Sequence, residues 1–385
     1  MARIHWLGAG LSSVPGIRRL IQEGRTITLW NRTVAKAERA VKGLEGDFDV
    51  KAFSLDALAE AVQGGDVVVS MLPATMHIAV AELCLDKGVN FVSSSYISPE
   101  MSALGDKAKA ANLVFVNEVG LDPGLDHLLA HLLMADYKGS AAFDASNSHD
   151  FRSYCGGFPA IANDFRYKFS WSPLGVLKAL KSPAQSILGG DVVQTQKPWD
   201  AIADFEVTFP SGSETFQSYP NRDSLPFLDD YGFDKDWNMN TFVRGTLRLN
   251  GWSDAWADIF NFVENEIAGP DGEEKLAELS EELWNNHSYD EGEPDRVVLV
   301  VDMKASKDGR AVWHKSYALD ARGNDDASAM ARLVSIPVSL AIEAVLDGKM
   351  EAGVQAAPSN PAIIENWFAE LSKYGDDFHL TDNLV

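Results

Sequence analysis

The chain has 385 residues, 46% apolar and 23% charged, an ordinary globular composition with room for two or three domains of roughly 100–200 residues. Its formal charge of −23 excludes nucleic acid and anionic membrane surfaces as electrostatic partners, so any anion site has to be built locally from arginines and backbone N–H groups. Two cysteines, Cys84 and Cys155, give no disulfide framework and suit a reducing cytoplasm; no secretory segment or membrane span is expected.

Arg3-Ile4-His5-Trp6-Leu7-Gly8-Ala9-Gly10-Leu11-Ser12-Ser13 reads as a strand, a tight turn and a helix N-terminus, the order of a dinucleotide-binding unit. Gly8 and Gly10 let the backbone approach a pyrophosphate, and the helix that follows offers free N–H donors. Ser13 replaces the third glycine of the usual fingerprint, so the match is partial; Leu11 and Ser12 share the turn. A second strand, 26–30, ends in Asn31-Arg32-Thr33, where an acid would receive the ribose 2′-hydroxyl of NAD. Arg32 stands there instead, and its planar fork suits a 2′-phosphate, which predicts NADP with NAD as the alternative. A solvated loop arginine, or one stacked on the adenine, is the competing role.

Strand and helix then alternate to about residue 118: helix 34–44, strand 50–53, helix 57–62, the buried strand 66–73, helix 76–87, strand 90–94, helix 98–111 and strand 113–117. This pattern predicts an α/β fold with a Rossmann-type doubly wound parallel sheet over 1–125, the sheet ending near 118. Leu72, Pro73 and Ser94, at the ends of later strands, join the expected cofactor contacts.

From about 143 to 313 the chain is richer in aromatics, Gly, Asn and Asp. Segments 205–209, 242–249, 297–304 and 312–318 are expected in one sheet, the last two joined through Lys307-Asp308-Gly309-Arg310. The acidic stretch 254–290, interrupted by Gly269-Pro270-Asp271-Gly272, reads as a small solvated helical lobe. Residues 126–330 are thus expected to form an inserted α+β domain for substrate and dimerisation, and 331–385 a helical tail packing back on the first domain.

Several motifs, in order, carry a family resemblance: Ser93-Ser94-Ser95-Tyr96-Ile97-Ser98-Pro99, Asn117-Glu118-Val119-Gly120-Leu121-Asp122-Pro123-Gly124-Leu125-Asp126-His127, Ser153-Tyr154-Cys155-Gly156-Gly157, Phe169-Ser170-Trp171-Ser172, Tyr219-Pro220-Asn221-Arg222-Asp223 and Arg244-Gly245-Thr246-Leu247-Arg248. Over nearly its whole length, least from 260 to 295, the chain resembles the L-glutamate-forming saccharopine dehydrogenases (saccharopine reductases). The resemblance implies a homodimeric NAD(P)-dependent oxidoreductase of lysine metabolism, with a substrate cleft between two domains. Such an enzyme joins the amine of glutamate to α-aminoadipate semialdehyde as an imine and reduces it, or oxidises saccharopine in reverse. Carboxynorspermidine or homospermidine-type enzymes, lysine 6-dehydrogenases and a non-catalytic nucleotide-binding protein share the architecture and remain alternatives.

Saccharopine carries three carboxylates, so its pocket needs cations or clustered N–H donors. Arg222 is the expected clamp, unless it pairs with Asp223; Arg244 and Thr246 follow, and Arg248 is expected on a solvated strand face. Ser95 and Gly156 are further substrate contacts, the glycine allowing close backbone approach. Asp122, Tyr96 and Cys155 form the candidate catalytic set. Asp122 is favoured to orient the reacting amine or a water beside the cofactor, with a helix N-cap as its alternative. Tyr96 is a hydrogen-bonding or packing group, and Cys155 lines the pocket rather than attacking, because hydride transfer to an imine needs no covalent intermediate. His127 is read as a structural donor, and no metal is expected, since His127 and His131 lack the glutamate of a zinc motif.

Overall fold

A computed structural model describes residues 2–267, 269 and 271–384; Pro270 of the expected Gly269–Gly272 interruption lies outside the described residues. The chain divides into two compact units, Met1–Leu128 with Met330–Leu371, and Leu129–Ala329 with Ser372–Val385.

In the first unit, β1 (Ile4–Leu7), β2 (Ile27–Asn31), β3 (Phe48–Ala52), β4 (Val67–Ser70), β5 (Asn90–Ser93) and β6 (Val114–Val116) lie in the order 3-2-1-4-5-6. Every pairing is parallel. This is the doubly wound dinucleotide-binding order, and the connecting helices cover the sheet on both faces. Val67, Val68 and Val69 are therefore all fully buried, which explains their unbroken β-branched run.

The sheet does not end at 118. A seventh strand, Gly353–Gln355, pairs in parallel with β6 and continues it. The helix before that strand, Ala329–Leu346, is long and apolar enough to cross a membrane, and 78% of it is buried. It meets the first helix, Val14–Gln22, so closely that a Cβ on Gly16 would sit 2.2 Å from the Ser335 carbonyl oxygen. The Gly16 N–H donates to Ser335 Oγ at 2.9 Å, and Arg19 holds Glu343 at 2.7 Å.

In the second unit, β7 (Ser148–Pro159), β8 (Ala184–Leu188), β9 (Asp191–Thr195), β10 (Ala203–Phe209), β11 (Gly212–Pro220), β12 (Asn238–Leu249), β13 (Asp295–Lys307), β14 (Arg310–Arg322) and a last strand, His379–Asp382, form one nine-stranded sheet. Its main path runs β10-β11-β12-β7-β13-β14 to the last strand, with β8 and β9 attached to the start of β12. The β12–β7 pair is parallel; the other pairings are antiparallel. The β13–β14 hairpin turns on Asp308 (φ 50°) and Gly309 (φ 77°), both left-handed as a two-residue turn of this kind demands.

Two expectations are corrected here. Residues 372–385 do not follow the tail onto the first unit; Leu380 and Thr381 pair with Tyr317 and Ser316, using the open edge that β14 would otherwise expose. The acidic lobe is not simply solvated. Its helices Trp252–Ala255, Ala257–Asn265 and Gly272–His287, with Trp256 between the first two, place Trp252, Trp256 and Phe260 in one buried cluster with Tyr167, Phe169 and Tyr219. Acidic outer faces and aromatic inner faces alternate along the same helices, and composition averages the two.

Candidate functional site

The carboxyl ends of the parallel strands carry the first group of residues, where open α/β sheets bind their ligands. Gly8 has φ 101°, and a Cβ there would lie 2.8 Å from the Met71 carbonyl oxygen, so this turn admits only glycine. Asn31 ties the turn to the end of β2: its Oδ1 accepts from the Ala9 N–H at 3.1 Å and its Nδ2 donates to the Thr33 carbonyl at 2.8 Å. Arg32 and Thr33 are exposed just beyond, and none of residues 31–33 carries a carboxylate side chain. Ser13, at the third glycine position, is buried at the start of the first helix. Leu11 is exposed, while Ser12, Leu72 and Ser94 are half-buried and Pro73 is exposed. A glycine cradle and Arg32 fit a dinucleotide with a 2′-phosphate, but the first helix does not offer the free donors expected of it: Pro15 has no N–H, and those of Gly16 and Ile17 go to Ser335 Oγ and the Ser13 carbonyl.

Next to them runs a chain of neutral hydrogen bonds. Ser70 Oγ meets His77 Nδ1 at 2.8 Å, and His77 Nε2 meets Ser95 Oγ at 2.8 Å. Burial pushes the His77 pKa down to about 4, so the ring stays neutral and offers one donor and one acceptor. Tyr96 donates its hydroxyl to Asp122 Oδ1 at 3.0 Å.

Asp122 sits in the turn Gly120–Gly124. The Gly120 N–H donates to the Pro123 carbonyl at 2.9 Å, and the Asp122–Pro123 peptide is cis. Gly124 has φ 147°, and a Cβ there would fall 2.1 Å from the Gly120 carbonyl oxygen. Asp126, not Asp122, receives the N–H at the start of the helix Leu125–Gly139: its Oδ1 accepts from Gly124 at 2.7 Å.

Three residues here were not singled out from sequence: Ser70, His77 and Glu118. Buried Glu118, at φ 57°, accepts from the Ile97 N–H at 2.8 Å and faces His127 Nε2 at 2.9 Å, fastening the loop after β5 to the helix. Glu118 lay inside the motif that carried the family resemblance; its left-handed backbone gave no other signal. Ser70 and His77 sit on ordinary apolar elements and gave none.

The second group lies in the second unit. Arg244, Thr246 and Arg248 alternate along β12 and so share one face, with Cys155 of β7 and Tyr219 of β11 both opposite Thr246. A Cβ on Gly156 would lie 2.4 Å from the Leu247 carbonyl oxygen, so its missing side chain lets β7 and β12 approach. Cys155 is half-buried.

Arg222 is exposed at φ 60°, its carbonyl accepting from the Gln185 N–H at 2.9 Å. Asp223 uses Oδ1 to accept from the Leu225 N–H at 3.0 Å and so shapes the turn. Arg244 is buried with its guanidinium 3.9 Å from the Phe227 ring centroid, and the Asn221 N–H donates to its carbonyl at 2.9 Å. Arg248 is not solvated as expected but 8% exposed, its guanidinium against the rings of Tyr167, Trp252 and Tyr219 at 5.0, 5.2 and 5.6 Å. Aromatic faces cover a flat, weakly hydrated guanidinium at lower cost than an ammonium, which is how a strand arginine comes to be buried. Ser95, Tyr96 and Asp122 thus gather in one unit, and Cys155, Arg222, Arg244 and Thr246 in the other.

Comparison with known proteins bears on these features. Residues 4–116 match the family described as saccharopine dehydrogenase NADP binding domain, and residues 120–376 that described as saccharopine dehydrogenase C-terminal domain. The NADP(+), L-glutamate-forming saccharopine dehydrogenase of Pyricularia oryzae is 29% identical, over 96% of this chain and 96% of its own length. Alpha-aminoadipic semialdehyde synthase of Arabidopsis thaliana is 34% identical over 66% of this chain, and the match spans only 25% of that longer protein. The structure of apo saccharopine dehydrogenase (L-Glu forming) from Saccharomyces cerevisiae superposes with a TM-score of 0.80 at 25% identity, covering 99% of this chain and 100% of that one.

Proposed function

The chain belongs to the saccharopine dehydrogenase family, and we propose that it is an NADP-dependent oxidoreductase interconverting saccharopine with α-aminoadipate semialdehyde and glutamate. The observation that carries the cofactor reading is the end of β2, where exposed Arg32 stands in a position without any carboxylate. A 2′-phosphate placed there gains charge-assisted hydrogen bonds, together worth roughly 1.5–3 kcal/mol. Bound NADP supplies the hydride acceptor.

The residues of this chain supply the rest. The Tyr96 hydroxyl holds Asp122 so that its carboxylate faces one way, and Asp122 takes the proton lost as the secondary amine becomes an imine, then orients the water that hydrolyses it. Arg222 and Arg244 clamp substrate carboxylates; in a chain of net charge −23 such cations have to be placed individually. Thr246 and Cys155 line the same strand pair. The protein is read as a homodimer assembled through the second unit, whose β8–β9 hairpin exposes Leu188 and Val192; light scattering from a single 42.0 kDa particle would overturn that reading.

The test of function is kcat/KM for saccharopine oxidation with NADP and with NAD, in wild type and Arg32→Ala. NADP should be preferred, and the substitution should cut the NADP/NAD ratio about ten- to a hundredfold. No turnover of saccharopine overturns the substrate reading; a wild-type preference for NAD overturns the role of Arg32.

A further inference from the structure

Arg248 is a buried cation that the reaction as described leaves unused. It makes no ion pair among the described residues, its Nη1 donates to the Leu247 carbonyl at 3.2 Å, and its buried Nε has no hydrogen-bond partner. The buried indole N–H of Trp252, whose ring packs on the guanidinium, has none either. Two donors of one small cluster are thus withheld from water without an acceptor, and the charge is withheld without an anion. Three aromatic faces offset part of that cost, but a guanidinium kept only for packing is replaceable by an apolar side chain at no loss. The unmet need is for an anion with acceptor oxygens.

The position of Arg248 says which anion. Arg244, Thr246 and Arg248 follow one another at every second residue on one face of β12, with a regular register from Gly245 to Leu249. At the rise of a strand the two arginines stand about 13 Å apart along the chain, a separation comparable with that of the outer carboxylates of extended saccharopine. Arg222 and Arg244 account for two of that substrate's three carboxylates. Resting on the substrate reading above, we propose that Arg248 is a further substrate-binding residue, the third cation of the site, which receives a carboxylate at the far end of the Arg244–Thr246–Arg248 row.

The experiment is calorimetric titration of saccharopine and of glutarate into the NADP-loaded protein, in wild type, Arg248→Met and Arg248→Lys, with NADP affinity and melting temperature measured beside it. The methionine variant should weaken saccharopine binding about tenfold or more, leave NADP binding unmoved and lose the rise in melting temperature that saccharopine gives the wild type. The lysine variant, which keeps the charge without the fork, should recover part of the affinity. Should the methionine variant not fold, the lysine variant decides alone, by weakened saccharopine binding with unchanged NADP binding. Unchanged saccharopine affinity in a folded variant of lower melting temperature overturns the proposal and leaves Arg248 as a pin for the helical lobe. If wild type binds glutarate through Arg248 but not saccharopine, the substrate reading fails and the anion site stands; if it binds neither, both fall.

Discussion

The two units handle buried polarity in opposite ways. In the first, the groups at the strand ends are held by hydrogen bonds to hydroxyls and backbone: His77 is held uncharged between Ser70 and Ser95, and Glu118 and Asp126 each accept from a backbone N–H, of Ile97 and of Gly124. In the second, whole cations are placed on a strand face and covered by rings, Arg244 by Phe227 and Arg248 by Tyr167, Tyr219 and Trp252. The difference follows from what each sheet offers. A parallel sheet buried on both faces has usable backbone only at its ends, so its polar groups collect there. A mostly antiparallel sheet can present side chains along a face, and long arginines reach out from it.

The largest expected effect breaks the contrast at the backbone. Gly124→Ala places a Cβ 2.1 Å from a carbonyl oxygen at φ 147° and should cost about 4 kcal/mol or more, because neither strain nor clash can relax. Gly245→Ala in the second unit meets the Tyr219 carbonyl at 2.4 Å but without a left-handed backbone, and should cost about 1–3 kcal/mol. Urea unfolding of both variants checks the ranking; equal losses would erase this distinction.

Acid sharpens it next. The folded pKa of His77 is about 4, below the ordinary value of 6.5, so the folded protein binds fewer protons than the unfolded chain between those values. The stability is complete above pH 6.5 and is lost as the pH falls toward 4, by up to about 3 kcal/mol. His77→Gln should show a shallower fall than wild type over that window in denaturant titrations; identical slopes would mean the imidazole is not held neutral.

Two substitutions separate chemistry from binding. Asp122→Asn keeps an acceptor for Tyr96 but cannot take a proton, so kcat should drop about a hundredfold, roughly 2.7 kcal/mol, with NADP affinity retained. Stopped-flow single turnovers would detect an unchanged chemical step and so reject the role. Arg222→Lys keeps the charge without the fork and should raise the saccharopine KM about tenfold, about 1.4 kcal/mol. An unmoved KM would take Arg222 away from the substrate.

Much of this protein was determined locally. The β-branched run of β4, the glycine-rich turn after β1, the Asp308-Gly309 hairpin and the acid-free end of β2 are all written in a few consecutive residues, so they could be read locally even where, as at Gly8 beside the Met71 carbonyl, a distant group enforces them. The candidates Asp122 and Arg222 were legible because each lies in a short motif of turn residues, and Arg244 because it lies in one of the motifs that carry the family resemblance. What only the tertiary structure decided came from pairings across long stretches of chain: Gly353–Gln355 joining β6, His379–Asp382 joining β14, Ser70 and Ser95 closing on His77, and Arg248 being roofed by rings. None of these follows from local pattern, because a strand edge accepts any extended segment that reaches it, and whether an arginine is solvated or buried depends on which distant aromatic faces pack over it.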